Sequence, residues 1–267
     1  MSGTSWKNEV ASGERFEFGK NWAHFLRRLD NSAIAAAEQS LKEMLRVDSL
    51  RGKTFLDIGS GSGLFSLAAK RLGASVTSFD FDPNSVACAD ELRRRFFPND
   101  SDWRITTGSV LDEQFLGGLG QYDVVYSWGV LHHTGEMWRA IRYASNQVKP
   151  GGKIFIALYN NQPIATAYWR VVKKLYNRFF FVRPVLVLVH MVYPTLFSLV
   201  LRAASGRELP RGMSVWFDLI DWLGGYPFET ARPDDVVNYF IGEGFSVVRL
   251  RTVGGRLGCN EYVFCKH

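Results

Sequence analysis

Short apolar runs alternate with longer amphipathic stretches through the middle of this chain. Such an alternation is typical of a parallel sheet with helices on both faces. Two further β-type runs follow near the C-terminus and are joined by a glycine-rich turn, so we predict that they close the same sheet as a hairpin. The predicted strands are residues 54–58, 75–80, 104–108, 122–127, 153–159, 245–252 and 260–266.

The chain before residue 52 has a helical pattern instead. Ile34, Glu38, Leu41 and Leu45 recur at the spacing that places side chains on one face of a helix. An aromatic segment, FEFGKNW at residues 16–22, precedes them. We predict a helical cap in which this segment either covers a ligand or docks a terminal helix.

The least polar part of the chain is residues 164–216, whose stretch 184–201 contains no Lys, Arg, Asp or Glu. That stretch is near the shortest length that spans a bilayer, but a single crossing would separate the last two strands from their sheet. Two interpretations remain. One is a helical lid over the site, and the other is peripheral membrane contact through residues 164–202, with Arg170, Lys173, Lys174, Arg178 and Arg183 toward anionic headgroups.

The first predicted strand leads directly into three alternating glycines, Gly59, Gly61 and Gly63. Glycines let the backbone bend sharply and approach a ligand at a helix N-terminus. Neither register of the dinucleotide fingerprint G-x-G-x-x-G fits, because Leu64 and Ser66 stand where its last glycine would be. The loop therefore indicates a nucleotide-like ligand of another kind.

The carboxylate of Asp57, two residues before the first glycine, indicates which ligand. A negative charge here would repel a pyrophosphate and attract the ammonium and sulfonium groups of S-adenosylmethionine. Asp80 ends the second strand, where a carboxylate can accept hydrogen bonds from both ribose hydroxyls, with Phe81 as a wall for adenine. The segment after Asp80 also fits a capped helix start, with Asp82 as N-cap and Pro83 following.

Four segments together resemble the class I S-adenosylmethionine-dependent methyltransferases, especially the small-molecule branch that includes the ubiquinone-biosynthesis O-methyltransferases. They are LDIGSGSG (56–63), VTSFDFDP (76–83), YDVVYSWGVLHH (122–133) and VKPGGKIF (148–155). The resemblance runs from about residue 52 to 159. It implies a Rossmann-like, seven-stranded, mostly parallel sheet with an antiparallel last strand.

The resemblance also implies the cofactor site, at the carboxyl ends of the strands. The family often has an aspartate at the position of Ser109 that binds the adenine amino group, and the backbone amide of Val110 is the alternative contact here. The predicted cofactor-binding residues are Asp57, Gly59, Ser60, Gly61, Gly63, Asp80, Phe81, Ser109, Val110 and Trp128.

The candidate catalytic residues are His132 and His133, which follow the fourth strand, because histidine is a residue type that can titrate near neutrality. Either one serves as a base toward an acceptor hydroxyl, or both only hold the loop. The predicted substrate-side residues come from the cap, from the fifth strand and from the segments after it: Trp22, Tyr159, Asn160, Asp221, Tyr226 and Asn260.

Composition adds few constraints. With 267 residues and 46% hydrophobic content the chain can bury one large core with an insertion. Cys88, Cys259 and Cys265 lack C-x-x-C pairing or metal spacing, so we expect reduced thiols, no metal and a cytoplasmic location. No signal-peptide pattern opens the sequence. The net charge of +6 allows an anionic partner without requiring one.

We therefore predict a methyltransferase acting on an oxygen or nitrogen of a small, apolar or lipid-linked acceptor. The alternatives are an RNA or protein methyltransferase and a non-catalytic S-adenosylmethionine-binding protein. We expect no DNA partner, consider RNA the weaker choice and leave the oligomeric state open. The predicted units are the cap (1–51), the cofactor-binding core (52–162), the lid insertion (163–232) and the closing helix and strands (233–267).

Overall fold

One seven-stranded sheet lies at the centre of the protein. The computed structural model describes residues 3–19, 22, 26, 29–191 and 215–267. The strands are β1 (Thr54–Ile58), β2 (Ser75–Asp80), β3 (Trp103–Thr107), β4 (Tyr122–Trp128), β5 (Val148–Tyr159), β6 (Phe245–Arg251) and β7 (Cys259–Lys266).

Helices cover both faces of this sheet and one of its ends. They are α1 (Gly3–Ala11), α2 (Asn31–Leu45), α3 (Leu64–Arg71), α4 (Pro83–Phe96), α5 (Glu113–Gly117), α6 (Met137–Asn146), α7 (Pro163–Arg178), α8 (Val215–Gly224) and α9 (Pro233–Gly242). Short 3-10 turns occur at Leu131–His133 and Phe180–Val182, and residues 183–191 are helical.

The strand order is β3-β2-β1-β4-β5-β7-β6. Strands β1 to β5 pair in parallel, whereas β7 runs antiparallel to both β5 and β6. The predicted fold class is confirmed, including the antiparallel last strand. Because the order reverses direction at β1, the loops after β1 and β4 diverge and leave a crevice between them, as expected at a topological switch point.

The predicted strands match the observed ones closely, with one clear difference. Strand β5 begins at Val148 rather than at residue 153, because Val148 pairs with Tyr122 before an irregularity in the register between Tyr122 and Val124. The two adjacent glycines at 151 and 152 disguised this strand in the sequence, since glycine is depleted in strands.

The apolar core forms one layer on each side of the sheet. One layer packs α6 and α9 against β4, β5 and β7, and the other packs α2, α3 and α4 against β1, β2 and β3. Helix α2 buries Ile34, Leu41 and Leu45, as its sequence pattern predicts. Glu38 lies on the rim of that face and forms an ion pair with Arg71 at 2.7 Å.

The insertion before α9 folds as helices. Helix α7 packs against α8 through a small cluster that contains Val172, Tyr176 and Leu223. Residues 192–214, which include much of the predicted apolar stretch, lie outside the described part of the chain. Among the residues that the structure describes, no helix combines the length and the apolar content that crossing a bilayer requires.

Replacing Gly63 with alanine tests how tightly α3 packs on α4. Gly63 has a φ of +81°, and a Cβ there would lie 2.8 Å from Cα of Ala89 in α4. Gly120 has a φ of +79° with open space around it, which makes it a matched control. Both alanine variants should lose about 1–2 kcal/mol of unfolding free energy to left-handed backbone strain. Gly63→Ala should lose about 1–3 kcal/mol more through overpacking.

Urea unfolding of the two variants measures this difference. Equal losses in Gly63→Ala and Gly120→Ala would show that the third glycine serves only backbone conformation.

Candidate active site

A cavity of about 450 Å³ lies at the carboxyl ends of the strands. The loops that follow β1, β2, β3 and β4 form its floor, and the N-terminal segment covers it. Its lining includes the residues Trp6, Arg15, Phe16, Phe18, Trp22, Gly59, Gly61, Asp80, Phe81, Asp82, Ser109, Val110, Trp128, His133, Thr134, Tyr159, Trp222 and Cys259.

The glycine loop is held against the end of β2. The amides of Gly59 and Ser60 donate to the carbonyl of Phe79 at 2.8 and 3.1 Å, and the amide of Gly61 donates to Oδ2 of Asp80 at 2.9 Å. A Cβ on Gly61 would lie 3.1 Å from the indole of Trp22. This glycine therefore lets the loop and the N-terminal segment approach each other above the cavity.

Asp80 presents its carboxylate to the cavity from the end of β2. Its Oδ1 accepts from the amide of Asp82 at 2.9 Å, and its Oδ2 from Gly61. Burial raises the pKa of Asp80 to about 6, although these backbone hydrogen bonds oppose the shift. The site therefore holds a carboxylate that is only partly charged just below neutral pH.

Asp57 lies behind the loop rather than in the cavity lining. Its Oδ2 accepts from the hydroxyl of Ser66 at 2.5 Å, and Ser66 is in turn 3.0 Å from Oγ of Ser78. Burial raises the pKa of Asp57 to about 7, opposed by the Ser66 hydrogen bond and reinforced by the charge of Asp80. Two carboxyl groups thus share this end of the sheet.

The N-terminal segment docks at several points around the cavity. The amide of Gly19 donates to Oδ2 of Asp82 at 2.8 Å, while Oδ1 of Asp82 caps α4 through Asn84. The guanidinium of Arg15 donates to the carbonyl of His133 at 3.1 Å and lies 4.9 Å from the ring centre of Phe81. Asp82 thus caps α4 as predicted. The aromatic segment contributes Phe16, Phe18 and Trp22 to the cavity lining.

His133 lines the cavity, whereas His132 lies fully buried behind it. Nδ1 of His133 is 2.6 Å from the carbonyl oxygen of Pro227, so Nδ1 carries the proton and Nε2 keeps its lone pair. Burial and then the charge of Lys173 lower the pKa of His133 to about 3. Burial lowers the pKa of His132 well below its usual value as well.

Aromatic rings form the wall of the cavity beside His133. Tyr159 lies 5.4 Å from His133 and 5.4 Å from Trp222 between ring centres. Phe18 lies 5.3 Å from His133, and the indole of Trp128 donates to Glu261 at 2.9 Å. This side of the cavity therefore suits a flat apolar molecule.

The cavity brings together ten of the predicted site residues. These are Trp22, Gly59, Gly61, Asp80, Phe81, Ser109, Val110, Trp128, His133 and Tyr159. Ser60 and Gly63 belong to the loop but do not line the cavity. Tyr226 accepts from the amide of Phe16 through its carbonyl at 3.1 Å, outside the lining. The side chain of Asp221 is outside the described part.

Asn160 and Asn260 have a scaffold role rather than the predicted contact with an acceptor. Nδ2 of Asn260 donates to Oδ1 of Asn160 at 3.1 Å, and Nδ2 of Asn160 donates to the carbonyls of Gly254 and Arg256. Oδ1 of Asn260 accepts from Val253. Their amide groups thus hold the turn between β6 and β7, and neither residue lines the cavity.

Several lining residues had no recognisable signal in the sequence. Arg15 and Trp6 come from the far N-terminus, and Cys259 comes from the start of β7. Only the tertiary arrangement of these separate segments brings them to one cavity. The membrane interpretation placed Lys173 toward lipid headgroups, and for this residue it is wrong. Lys173 is fully buried, donates to the carbonyl of Trp222 and lies 4.4 Å from the centre of the Trp222 ring.

Comparison with known proteins relates the core of the chain to methyltransferases. Residues 56–154 match the family described as "Methyltransferase domain". The Ubiquinone biosynthesis O-methyltransferase of Pseudomonas paraeruginosa is 36% identical over 116 residues, which are 43% of this chain and 48% of that protein. The enzyme of the same name from Xanthomonas oryzae pv. oryzae is 33% identical over 118 residues. The chain thus aligns with about half the length of these relatives.

Solved structures share the fold at low sequence identity. An O-methyltransferase family protein from Burkholderia thailandensis has a TM-score of 0.57 at 14% identity, covering 97% of this chain and 66% of that one. Magnesium protoporphyrin IX methyltransferase from Synechocystis PCC 6803, with bound SAH, has a TM-score of 0.55 at 15% identity, covering 88% and 83%. The sequence-based resemblance to class I methyltransferases is thus confirmed for the domain at residues 56–154 and for its fold, and S-adenosylmethionine is the cofactor of that class.

A substitution of His132 should make the protein less sensitive to acid. A histidine that stays neutral when folded takes up a proton on unfolding below pH 6.5, so its contribution to stability falls as the pH drops. The unfolding free energy of His132→Phe should therefore gain on the wild type by about 1 kcal/mol between pH 6 and pH 5. Asp57 and Asp80 act with the opposite sign, but are present in both proteins.

Urea unfolding at each pH gives this difference. The wild type measured at the same pH values is the reference. A difference between His132→Phe and the wild type that does not change with pH would mean that His132 takes up a proton as readily in the folded protein as in the unfolded one.

Proposed function

We propose that this chain, which carries a class I S-adenosylmethionine-dependent methyltransferase domain, moves a methyl group from S-adenosylmethionine to a hydroxyl oxygen of a small aromatic acceptor. The observation that carries the proposal is one cavity with two chemically distinct halves. Asp80 and the glycine loop form one half, and His133 with its ring of aromatic side chains forms the other.

The first half fits a cationic nucleoside. Asp80 is positioned to accept from ribose hydroxyls, and Phe81, Ser109 and Val110 line the space where a base would lie. The buried carboxyl of Asp57 behind the loop adds negative charge without touching the cavity. A ligand with a positive charge would stabilise the ionised form of both acids, which burial alone disfavours.

The bound donor supplies an electrophilic methyl group on a positively charged sulfur. The new oxygen–carbon bond forms as the carbon–sulfur bond breaks, and the sulfur keeps the electron pair. The protein mainly aligns the acceptor and excludes water, which the aromatic cover from the N-terminal segment and Trp222 supports.

His133 is the residue we assign to the acceptor hydroxyl. Its Nε2 lone pair can accept the hydroxyl proton because Nδ1 is committed to the Pro227 carbonyl. A pKa of about 3 keeps the ring neutral at physiological pH and makes it a weak base. We therefore expect His133 to orient the hydroxyl and to receive its proton only as the oxygen–carbon bond forms, passing it on to solvent.

The similarity to the Ubiquinone biosynthesis O-methyltransferases supports oxygen rather than nitrogen as the target, because their name specifies it. Isotopic methyl transfer tests the proposal across catechols, phenols, hydroquinones and aromatic amines. Turnover of the hydroxyl compounds, lost in Asp80→Ala, is the expected result. Donor binding without turnover of any member of the panel would contradict it.

Donor binding should release protons at pH 6. Asp80 and Asp57 are partly protonated at this pH, and a nearby sulfonium favours their charged forms. Calorimetry in two buffers of different ionisation enthalpy should therefore show release of about one proton, and the affinity should rise between pH 6 and pH 8.

The demethylated product, S-adenosylhomocysteine, is the matched ligand because it lacks the sulfonium charge. It should release fewer protons than the donor, and Asp80→Asn should lower the release for both ligands. Identical proton release by the two ligands would argue against electrostatic recognition of the sulfur.

His133→Gln should separate orientation from binding. The turnover number should fall by about 10²-fold with little change in the KM of the acceptor, since general base assistance typically contributes at least that much. The loss should shrink as the pH approaches the pKa of the acceptor hydroxyl, because an ionised acceptor needs no proton acceptor. A loss that stays the same at every pH would assign His133 a packing role.

A further inference from the structure

The outer face of α7 is apolar and exposed. Ile164, Tyr168, Val171 and Leu175 recur at i, i+4, i+7 and i+11 and so lie in one row along the helix. All four side chains are exposed, Ile164 to 90%. A helix in a globular protein normally turns such a row toward the core. This row points outward instead, so it does not contribute to packing within the protein.

The exposed apolar surface continues past the end of α7. Phe179, Phe180 and Phe181 are adjacent, and Phe180 and Phe181 are 78% and 65% exposed. Val185, Leu188 and Val189 then extend it along the helical residues 183–191. We call this continuous surface, residues 164–189, the apolar ridge. Patches of this kind on a protein surface mark sites of contact with proteins or membranes.

The inner face of the same segment is firmly attached to the body of the protein. Nδ2 of Asn177 donates to the carbonyl of Gly224 at 2.8 Å, and Lys173 donates to the carbonyl of Trp222. His190 lies 2.9 Å from the hydroxyl of Tyr168, which joins residues 183–191 to α7. The helices that carry the ridge are therefore attached to the body of the protein through their inner face, and the ridge is their outer face.

Positive charges flank the ridge and negative charges are absent from it. Arg170, Lys174 and Arg178 follow one another at four-residue spacing beside the apolar row, and all three are exposed. The sequence has no Asp or Glu between Glu136 and Glu208. An exposed apolar row bordered by cations matches the interfacial region of a bilayer with anionic headgroups.

We propose that the apolar ridge docks this protein on the surface of an anionic lipid bilayer. The phenylalanines and aliphatic side chains enter the region between headgroups and acyl chains, and the cations contact lipid phosphates. The protein lies on the membrane and does not cross it. This inference does not rest on the proposed methyl transfer.

Charge argues for lipid rather than for a second copy of the chain. In a symmetric dimer each ridge would face the other, so the two rows of Arg170, Lys174 and Arg178 would meet without a compensating acid from this segment. An anionic surface removes that repulsion. Screening by salt should accordingly weaken docking.

Flotation of the 267-residue chain with vesicles tests the proposal. Vesicles of phosphatidylcholine with about a third phosphatidylglycerol present an anionic surface and should float with the protein bound. Vesicles of pure phosphatidylcholine should bind much less of it. Phe180→Ser/Phe181→Ser should weaken partitioning by at least about tenfold. Lys174→Glu should do the same on anionic vesicles, since reversal both removes an attraction and adds a repulsion.

Matched variants elsewhere on the surface control for general effects. Ile241→Ser/Val247→Ser removes two exposed apolar side chains from α9 and β6, and Arg104→Glu reverses an exposed charge on β3. These variants should bind vesicles like the wild type. Calorimetric donor binding, expected to be unchanged in all variants, shows that each one is folded and separates this test from that of the methyl transfer.

Three results would overturn the proposal. They are no flotation with anionic vesicles, equal flotation with neutral ones, and flotation that the control variants reduce as much as the ridge variants do. Sedimentation equilibrium tests the other possible occupant, a second copy of the chain. A dimer that dissociates in Phe180→Ser/Phe181→Ser would assign the ridge to dimerisation instead of lipid.

Discussion

Two carboxyl groups at the ends of adjacent parallel strands, one buried and one lining the cavity, dominate the electrostatics of the candidate site. Asp57 and Asp80 occupy one end of the sheet, and burial raises the pKa of both toward neutrality. Their partners, the Ser66 hydroxyl and the amides of Gly61 and Asp82, are neutral. A carboxylate that is removed from water without a positive partner costs free energy, so a bound cation would stabilise this end of the sheet. The donor's sulfonium is a cation of the right kind.

The remaining architecture closes this site from two directions. The N-terminal segment is fixed at Asp82 by Gly19 and at His133 by Arg15, while α7 and α8 bring Trp222 to the other side. Gly61 permits the contact between the glycine loop and the N-terminal segment by leaving room for Trp22. If the proposed function holds, a cover built from separate segments allows the acceptor specificity to vary while the donor half of the site stays the same.

The sequence was most informative where local chemistry and chain order coincide. The glycine loop, Asp80 and the strand pattern follow one another within a βαβ unit, so the sheet and the donor half of the cavity were predictable. The acceptor half was predictable only in part: Trp22, His133 and Tyr159 line the cavity as predicted, but Arg15 and Cys259 reach it only through tertiary packing. Asn160 and Asn260 show the opposite problem. Their polar side chains suggested a binding site, yet they hydrogen-bond to each other and to the backbone of the turn between β6 and β7.

The place of β7 has a consequence for how the protein is made. This strand, the last in the chain, inserts between β5 and β6, and its first residue, Cys259, forms part of the cavity wall. During synthesis, β5 and β6 leave the ribosome before β7. Strand β6 cannot join the sheet until residues 259–266 are free to pair with both β5 and β6. Without β7, one edge of β5 would be exposed and β6 would have no partner, so the pairing of residues 259–266 is the step that completes both the sheet and the cavity wall.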